Sequence, residues 1–310
     1  MDTPAPGHLC CDEVEWLDSR QSVLGQGTRI RRALPHRERR LIGAWCFLDH
    51  AGPVQFAEGQ GLHVGPHPHI GLQTFTWLIE GELRHRDSLG TDQRIRSGQV
   101  NLMTAGRGII HSEDSATAGD RLHAAQLWIA LPEAERHRPP AFAHYPQLPV
   151  LTQEGVQLTV LVGTYQRHTS PVEVYSPLIA LDVQLQAGTT LPLVLQAGFE
   201  HGLLVLEGKL LLEHQDRLSP ATLLYLPPGL RQLSIKALAP TRVLLIGGAP
   251  LNETSLLWWN FVARTEAELR QAVDDWNTHP ERFGPMPEGS GAAPLQAPAL
   301  DEVRLQSPAD

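Results

Sequence analysis

His67, His69, His111 and Glu113 stand in two short segments, Gly65-Pro66-His67-Pro68-His69-Ile70-Gly71 and Gly106-Arg107-Gly108-Ile109-Ile110-His111-Ser112-Glu113. In each segment one residue separates the two polar ones. Side chains alternate along an extended strand, so each pair leaves its strand on one face. Two such strands meeting inside a barrel bring three imidazoles and one carboxylate to a point, a donor set suited to a divalent first-row metal. A lone His-x-His pair is common, and the bland alternative is a set of histidines hydrogen-bonded in a polar lumen. The carboxylate two residues after His111 and the Gly-rich turns beside both pairs favour the metal.

Three neutral imidazoles and one carboxylate leave an octahedral dication with two open positions, which separates a reactive site from a closed structural one. Nitrogen and oxygen donors without thiolate suit Fe(II), Mn(II), Ni(II) or Cu(II), with a four-coordinate structural zinc as the alternative. Phe56, Phe75, Trp77, Met103 and Trp128 are the candidates to line a substrate pocket and stack a flat ring, although strand aromatics are more often ordinary core. His63, His85 and Asp87 are candidates to orient the ligands. Arg107 either faces an anion or joins a structural ion pair, and the sequence does not choose.

The elements that hold these residues repeat. At a shift of 127, Gly71 falls on Gly198 and Glu80-Gly81 on Glu207-Gly208; at a shift of 123, Met103 to Gly106 falls on Leu226 to Gly229. Both Glu-Gly pairs lie between apolar stretches, as in hairpin turns. Position for position, His67 and His69 become Val194 and Gln196, and His111 and Glu113 become Ser234 and Lys236. The second half therefore lacks a site of this kind. Many short strands with Gly, Pro and Asp turns give an all-β class, a sandwich or barrel. Thr265 to Glu268 is a capping box, and Leu269, Val273 and Trp276 then share one helix face, predicting a helix over 266–278 that Pro280 ends. The expected organisation is a disordered terminus at 1–10, an N-terminal barrel with the metal over 11–140, a degenerate C-terminal barrel with the helix over 141–285, and a loose Pro-, Gly- and Ala-rich tail over 286–310.

The chain of 310 residues carries 25 Lys and Arg against 34 Asp and Glu, a net charge of −9, which disfavours direct binding to nucleic acid. A cluster at Arg29 to Arg32 with Arg37, Arg39 and Arg40 is the local exception. Three cysteines, Cys10, Cys11 and Cys46, without a Cys-x-x-Cys pattern point to a reducing compartment. Met1 to His8 are Pro-rich with no apolar core of signal-peptide length, and no apolar run of about 18 residues occurs in the sequence. A cytoplasmic protein with no membrane contact is expected.

The residues above resemble the pirin family of the cupin superfamily. The matching stretches are Phe47-Leu-Asp49-His50-Ala-Gly52-Pro53, His67-Pro-His69-Ile-Gly71, Glu80-Gly81, His85-Arg86-Asp87-Ser88-Leu-Gly90 and Met103 through Glu113. Trp258-Trp259-Asn260-Phe261-Val262 and the helix after it are similar to the C-terminal region of some bacterial members. The resemblance implies a bicupin, two antiparallel β-barrels of jelly-roll type packed together, with iron or another divalent metal in the N-terminal one. It implies His67, His69, His111 and Glu113 as ligands, with Glu113 replacing the usual cupin glutamate, where this chain has Gln73. It also implies a flavonol (quercetin) 2,3-dioxygenase in which a flavonol and O2 meet at the metal and Glu113 acts as general base. Fe(II) is the foremost candidate metal, with Mn, Ni, Cu and Zn as others. The competing implication is a redox-responsive transcriptional or metabolic co-regulator that acts on a protein partner without catalysis.

Overall fold

Alternation such as Gln232-Leu-Ser-Ile-Lys-Ala237, with buried residues at every second place, builds strands that can cover a core on one face. Segments of this kind dominate, and the chain folds as β-structure with one α-helix among the described residues. The computed structural model describes residues 14–25, 27–115, 119, 121–212 and 216–300. Two compact units divide it. The histidine unit comprises residues 21–32, 46–147 and 252–300; the leucine unit comprises 14–20, 33–45 and 148–251.

Each unit is a jelly roll of one seven-stranded and one four-stranded antiparallel sheet. The larger sheet of the histidine unit runs Ala141–Tyr145, Gln99–Thr104, Leu72–Glu80, Arg121–Ala130, Trp45–Gln55, Thr28–Leu34, Arg20–Leu24. Its smaller sheet runs His63–His69, Ile109–Ser115, Glu82–Asp87, Asp92–Arg96. In the leucine unit the corresponding orders are Glu15–Asp18, Thr222–Leu226, Glu200–Glu207, Thr241–Gly248, Leu178–Leu185, Val156–Val162, Val150–Gln153 and Thr190–Val194, Gln232–Ala237, Leu210–Leu212, Arg217–Leu218. The two-fold β architecture read from the sequence is therefore present, with the sheets of each unit separate in their hydrogen bonding rather than closed into one barrel. The repeat is visible in register too. Thr74 pairs with Met103, and His201 with Leu226, the partners required by shifts of 127 and 123.

Four expectations change. First, Glu80-Gly81 is not a hairpin turn: the strands on either side belong to different sheets, so it is a corner. Gly81 takes φ 99° there, and a Cβ would sit 2.2 Å from the Arg121 carbonyl oxygen. Second, a cut near residue 140 does not describe the division, because Glu15–Asp18 pairs with Thr222–Leu226 and so extends a sheet of the leucine unit. Third, the helix Glu266–Thr278 has the capping box at Thr265 and Glu268, but belongs to the histidine unit. Its Leu269, Ala272, Val273 and Trp276 pack with Ile70, Ile110, Phe261 and Phe283. Fourth, 286–300 is not loose. The Trp276 indole donates to the Leu295 carbonyl at 2.8 Å, Leu295 N–H donates to the Pro66 carbonyl at 2.9 Å, and Ala297 and Leu300 are buried. Composition missed this because the segment is fixed by backbone hydrogen bonds and two isolated apolar residues rather than by a periodic apolar face. The expectations for 1–10, with Cys10 and Cys11, and for 301–310 lie outside the described residues.

The position-for-position equivalence of the two halves also needs correction. Val194, Gln196 and Lys236 are exposed, and Ser234 is half-buried. The residues facing the core of the leucine unit are Leu193, Leu195, Leu233 and Ile235, which pack with Leu191, Leu203, Val205 and Leu245. Each fully buried leucine or isoleucine contributes about 1.5–3 kcal/mol. No helix among the described residues is long and apolar enough to cross a membrane.

Candidate metal centre

Strand His63–His69 pairs with Ile109–Ser115, with His67 opposite His111. The next registered pair is Val64 with Glu113, so the first strand spends three residues where the second spends two. This bulge at Gly65-Pro66 reverses the side-chain parity of the strand. Leu62 and Val64 join the apolar cluster with Leu78, Leu83 and Ile95, while His67 and His69 turn toward His111. Gly71 then ends the strand at φ 68°, where a Cβ would meet the Val262 carbonyl oxygen at 2.1 Å.

The three rings are 6%, 1% and 1% exposed for His67, His69 and His111, and their centroids lie 4.3–5.0 Å apart. His67 donates from Nδ1 to the Gly65 carbonyl at 2.8 Å, and His69 from Nδ1 to the Asn260 carbonyl at 3.0 Å. Each therefore keeps its Nε2 lone pair bare. His111 is set by a chain. The Asp87 carboxylate accepts from His85 Nε2 at 3.0 Å, which leaves His85 Nδ1 as an acceptor facing His111 Nδ1 at 3.4 Å. Asp87 itself is held by the backbone N–H groups of Leu89 at 2.9 Å and Thr91 at 3.1 Å. With its proton on Nδ1, His111 presents a lone pair at Nε2, 3.1 Å from His69 Nε2. Two lone pairs at that separation repel unless a cation lies beside them. The donor set fits one metal ion.

Burial holds the site in the form a metal needs. Loss of solvent lowers the His67 imidazole to about 4, and the neighbouring His85 lowers it further against the Gly65 hydrogen bond. His69 and His111 are held well below the usual histidine value, again by burial first and by the adjacent imidazoles second. All three are neutral at pH 7, so no proton competes with the metal. Burial pushes the Glu113 carboxyl up, against the opposing influence of His85 and of the Thr76 hydroxyl 3.3 Å from its Oε1.

Glu113 is not part of the three-imidazole group. It forms a second group with His111 and His85, in which the donor atoms lie within 4.8 Å of one another. His111 is common to both. The carboxylate thus stands one step off the imidazole cluster, on the His85 side. Gln73 takes no part: it donates to Thr104 Oγ1 at 3.0 Å.

The pocket aromatics divide by strand parity. Thr74 is opposite Trp128 and Thr76 opposite Gln126, whereas Phe75 is opposite Leu127 and Trp77 opposite Ala125. Trp128 lies with its ring 5.0 Å from that of His69, and Met103, paired with Thr74, is on the same face. Phe75 and Trp77 point to the other face and do not line the site. Phe56 packs against the Leu62, Val64 and Leu78 cluster instead. His63 binds Asp114 Oδ1 at 2.9 Å, away from the rings it was expected to orient.

Several site groups escaped the sequence reading. Phe47 stacks on Trp128 at 3.9 Å, the Arg32 guanidinium lies 4.4 Å over the Phe47 ring, and Arg32 is fixed by a bidentate pair to Asp49 at 2.7 Å. Phe142 stacks on His85 at 4.5 Å. The i, i+2 spacing of Phe47 and Asp49 was the available signal; the carbonyl of Asn260, 191 residues from His69, left none.

Two family models match the chain, Pirin over residues 27–129 and the Pirin C-terminal cupin domain over residues 180–284. A Pseudomonas aeruginosa protein provisionally named a quercetin 2,3-dioxygenase is 48% identical over 95% of this chain and 90% of its own length. The crystal structure of a quercetin 2,3-dioxygenase from Acinetobacter baumannii, 49% identical, superposes with a TM-score of 0.91 over 95% of this chain and 98% of that one. A bacterial pirin from Escherichia coli, solved in complex with nickel(II), shares the fold at 22% identity and a TM-score of 0.61 over 76% of this chain and 99% of its own. Two jelly-roll units in one chain, a buried imidazole cluster in one of them, and these matches place the protein in the pirin family.

Proposed function

We propose that this protein is a mononuclear metal-dependent flavonol 2,3-dioxygenase with Fe(II) as its resident ion. The observation that carries the proposal is the convergence of three bare Nε2 lone pairs beside an aromatic wall. His67, His69 and His111 would hold the metal, with Glu113 as the fourth donor. A dication there supplies Lewis-acid polarisation of the flavonol 3-hydroxyl and a site at which O2 reacts. The flat ring system would lie against Trp128 and Phe47, whose stack is stiffened by Arg32. Glu113 would take the 3-hydroxyl proton on its carboxylate, a role favoured by the upward push of burial on that group. His85, hydrogen-bonded to Asp87, would keep His111 in the binding tautomer. Cleavage of the heterocycle by O2 would release carbon monoxide and a depside.

The test is turnover by anaerobically iron-loaded protein mixed with quercetin and air-saturated buffer. Bleaching of the flavonol with stoichiometric oxygen uptake is expected, and Glu113→Gln should bind iron yet lose at least about a hundredfold in kcat. Absence of bleaching with Fe, Mn, Ni and Cu alike would remove catalysis from the account.

A further inference from the structure

Arg107 sits between the two glycines that follow the Met103-Thr104-Ala105 strand end, and its role was open in the sequence. In the structure Arg107 is exposed and is one of the residues that line a cavity of about 310 Å³ in the histidine unit. The cavity lies behind the metal strands, not inside the jelly roll. Ile70 alternates with His69, packs with Phe261 and Phe283 away from the imidazoles, and forms part of the floor with Val262 and Ala263.

The charges around this cavity do not balance. Glu268 is the only carboxylate among its lining residues, and it is already committed. It accepts from the backbone N–H of Arg264 at 2.8 Å and of Thr265 at 3.2 Å, and pairs with Arg136 at 2.9 Å. Arg136 has a second partner in Glu133 at 2.7 Å. Arg282 pairs with Asp275. Arg107 has neither an ion-pair nor a side-chain hydrogen-bond partner among the described residues. The guanidinium is thus left as a planar two-pronged donor at the rim of an apolar floor. Its volume is at the lower end of small-ligand pockets, enough for a single substituted ring.

We propose that this cavity binds a small aryl carboxylate, its carboxylate bidentate on Arg107 and its ring on Ile70, Val262 and Ala263. Guanidinium and carboxylate match in plane and spacing, and a ring would close over the small part of Ile70, Val262 and Ala263 that the fold leaves open, 7%, 2% and 1% of each, which a phosphate would not. The site is separate from the metal centre and needs no metal.

Calorimetric titration of the full chain with sodium benzoate at fixed ionic strength tests this, before and after treatment with a chelator. One benzoate is expected to bind with the same affinity in both states. Arg107→Ala should weaken binding about tenfold or more, Arg107→Lys should restore part of it, and Ala267→Asp, at an exposed lining position, should abolish it while quercetin turnover is unchanged. Benzyl alcohol should bind at least about tenfold more weakly, and inorganic phosphate should not displace benzoate. Benzoate affinity unaltered in Arg107→Ala, binding lost on chelation, displacement by phosphate, or no binding at all would each overturn the proposal.

Discussion

The same sheet position is occupied in one unit by His63–His69 and in the other by Thr190–Val194, and a single extra residue separates their chemistry. Val64 and Leu191 both face inward, 127 residues apart. The bulge at Gly65-Pro66 then reverses parity in the histidine unit, whereas Thr190 to Val194 pairs with Lys236 to Gln232 without interruption. Counting across paired strands, His67 and His111 correspond to Leu193 and Leu233, and Glu113 to Ile235. One interior is built around polar donors and the other is solid hydrocarbon. The fold does not need the site. The candidate metal centre amounts to one inserted residue and four polar side chains in a core that otherwise folds on leucine, isoleucine and valine.

The sharpest way to break this comparison is to make the histidine unit resemble its partner. His111→Leu should lower metal affinity by more than about a hundredfold, beyond the effect of losing an outer hydrogen bond, while the metal-free variant stays at least as stable as the metal-free parent. Metal analysis by mass spectrometry and urea titration would read both. The reverse change, Leu233→His, places an imidazole without partners in a core where the leucine is 0% exposed. It should cost about 3 kcal/mol or more, measured as a fall in the urea midpoint at constant m-value.

Acid should affect both units through histidines that folding keeps neutral. Burial holds His201 of the leucine unit and His50 of the histidine unit down to about 4, Arg31 also lowering the latter. In the unfolded chain these groups titrate near 6.5. Above that value neither state takes the proton and stability is unaffected. As pH falls from about 6.5 toward 4 the unfolded chain binds protons that the folded chain refuses, so stability is lost. For His201 the loss by pH 4.5 is about 2–3 kcal/mol. His201→Gln should remove that part of the acid limb, with or without metal, in urea titrations at pH 7 and 4.5. The smallest effect is expected from Asp87→Asn. An amide N–H donating to His85 Nε2 reverses its tautomer, and the proton then on Nδ1 opposes that of His111. Metal affinity should fall about 10–100-fold by chelator competition, with the thermal midpoint of the metal-free protein little changed.

Residue type and i, i+2 spacing made the meeting of His67, His69 and His111 legible, because alternation holds within a short strand whatever surrounds it; that Glu113 falls in a separate group with His85 was not. Which face a longer strand turns to the site was not. Leu72–Glu80 is buried on both faces, so polarity carries no parity signal, and the large aromatics Phe75 and Trp77 drew the choice that belonged to Thr74 and Thr76. Bulges are equally silent: Gly65-Pro66 reads as a turn, and its effect appears only against the partner strand. Contacts across long sequence separation, such as Asn260 with His69 or Leu295 with Pro66, have no local cause. The helix was readable to the residue because its cap and apolar face are local properties.

Anomalous diffraction from crystals of the iron-loaded protein tests the central claim most directly. A single peak is expected in the histidine unit, roughly 2.0–2.2 Å from the Nε2 atoms of His67, His69 and His111, with coordination positions open to solvent and none in the leucine unit. A peak bonded to other residues, or an ion enclosed entirely by protein donors, would contradict it.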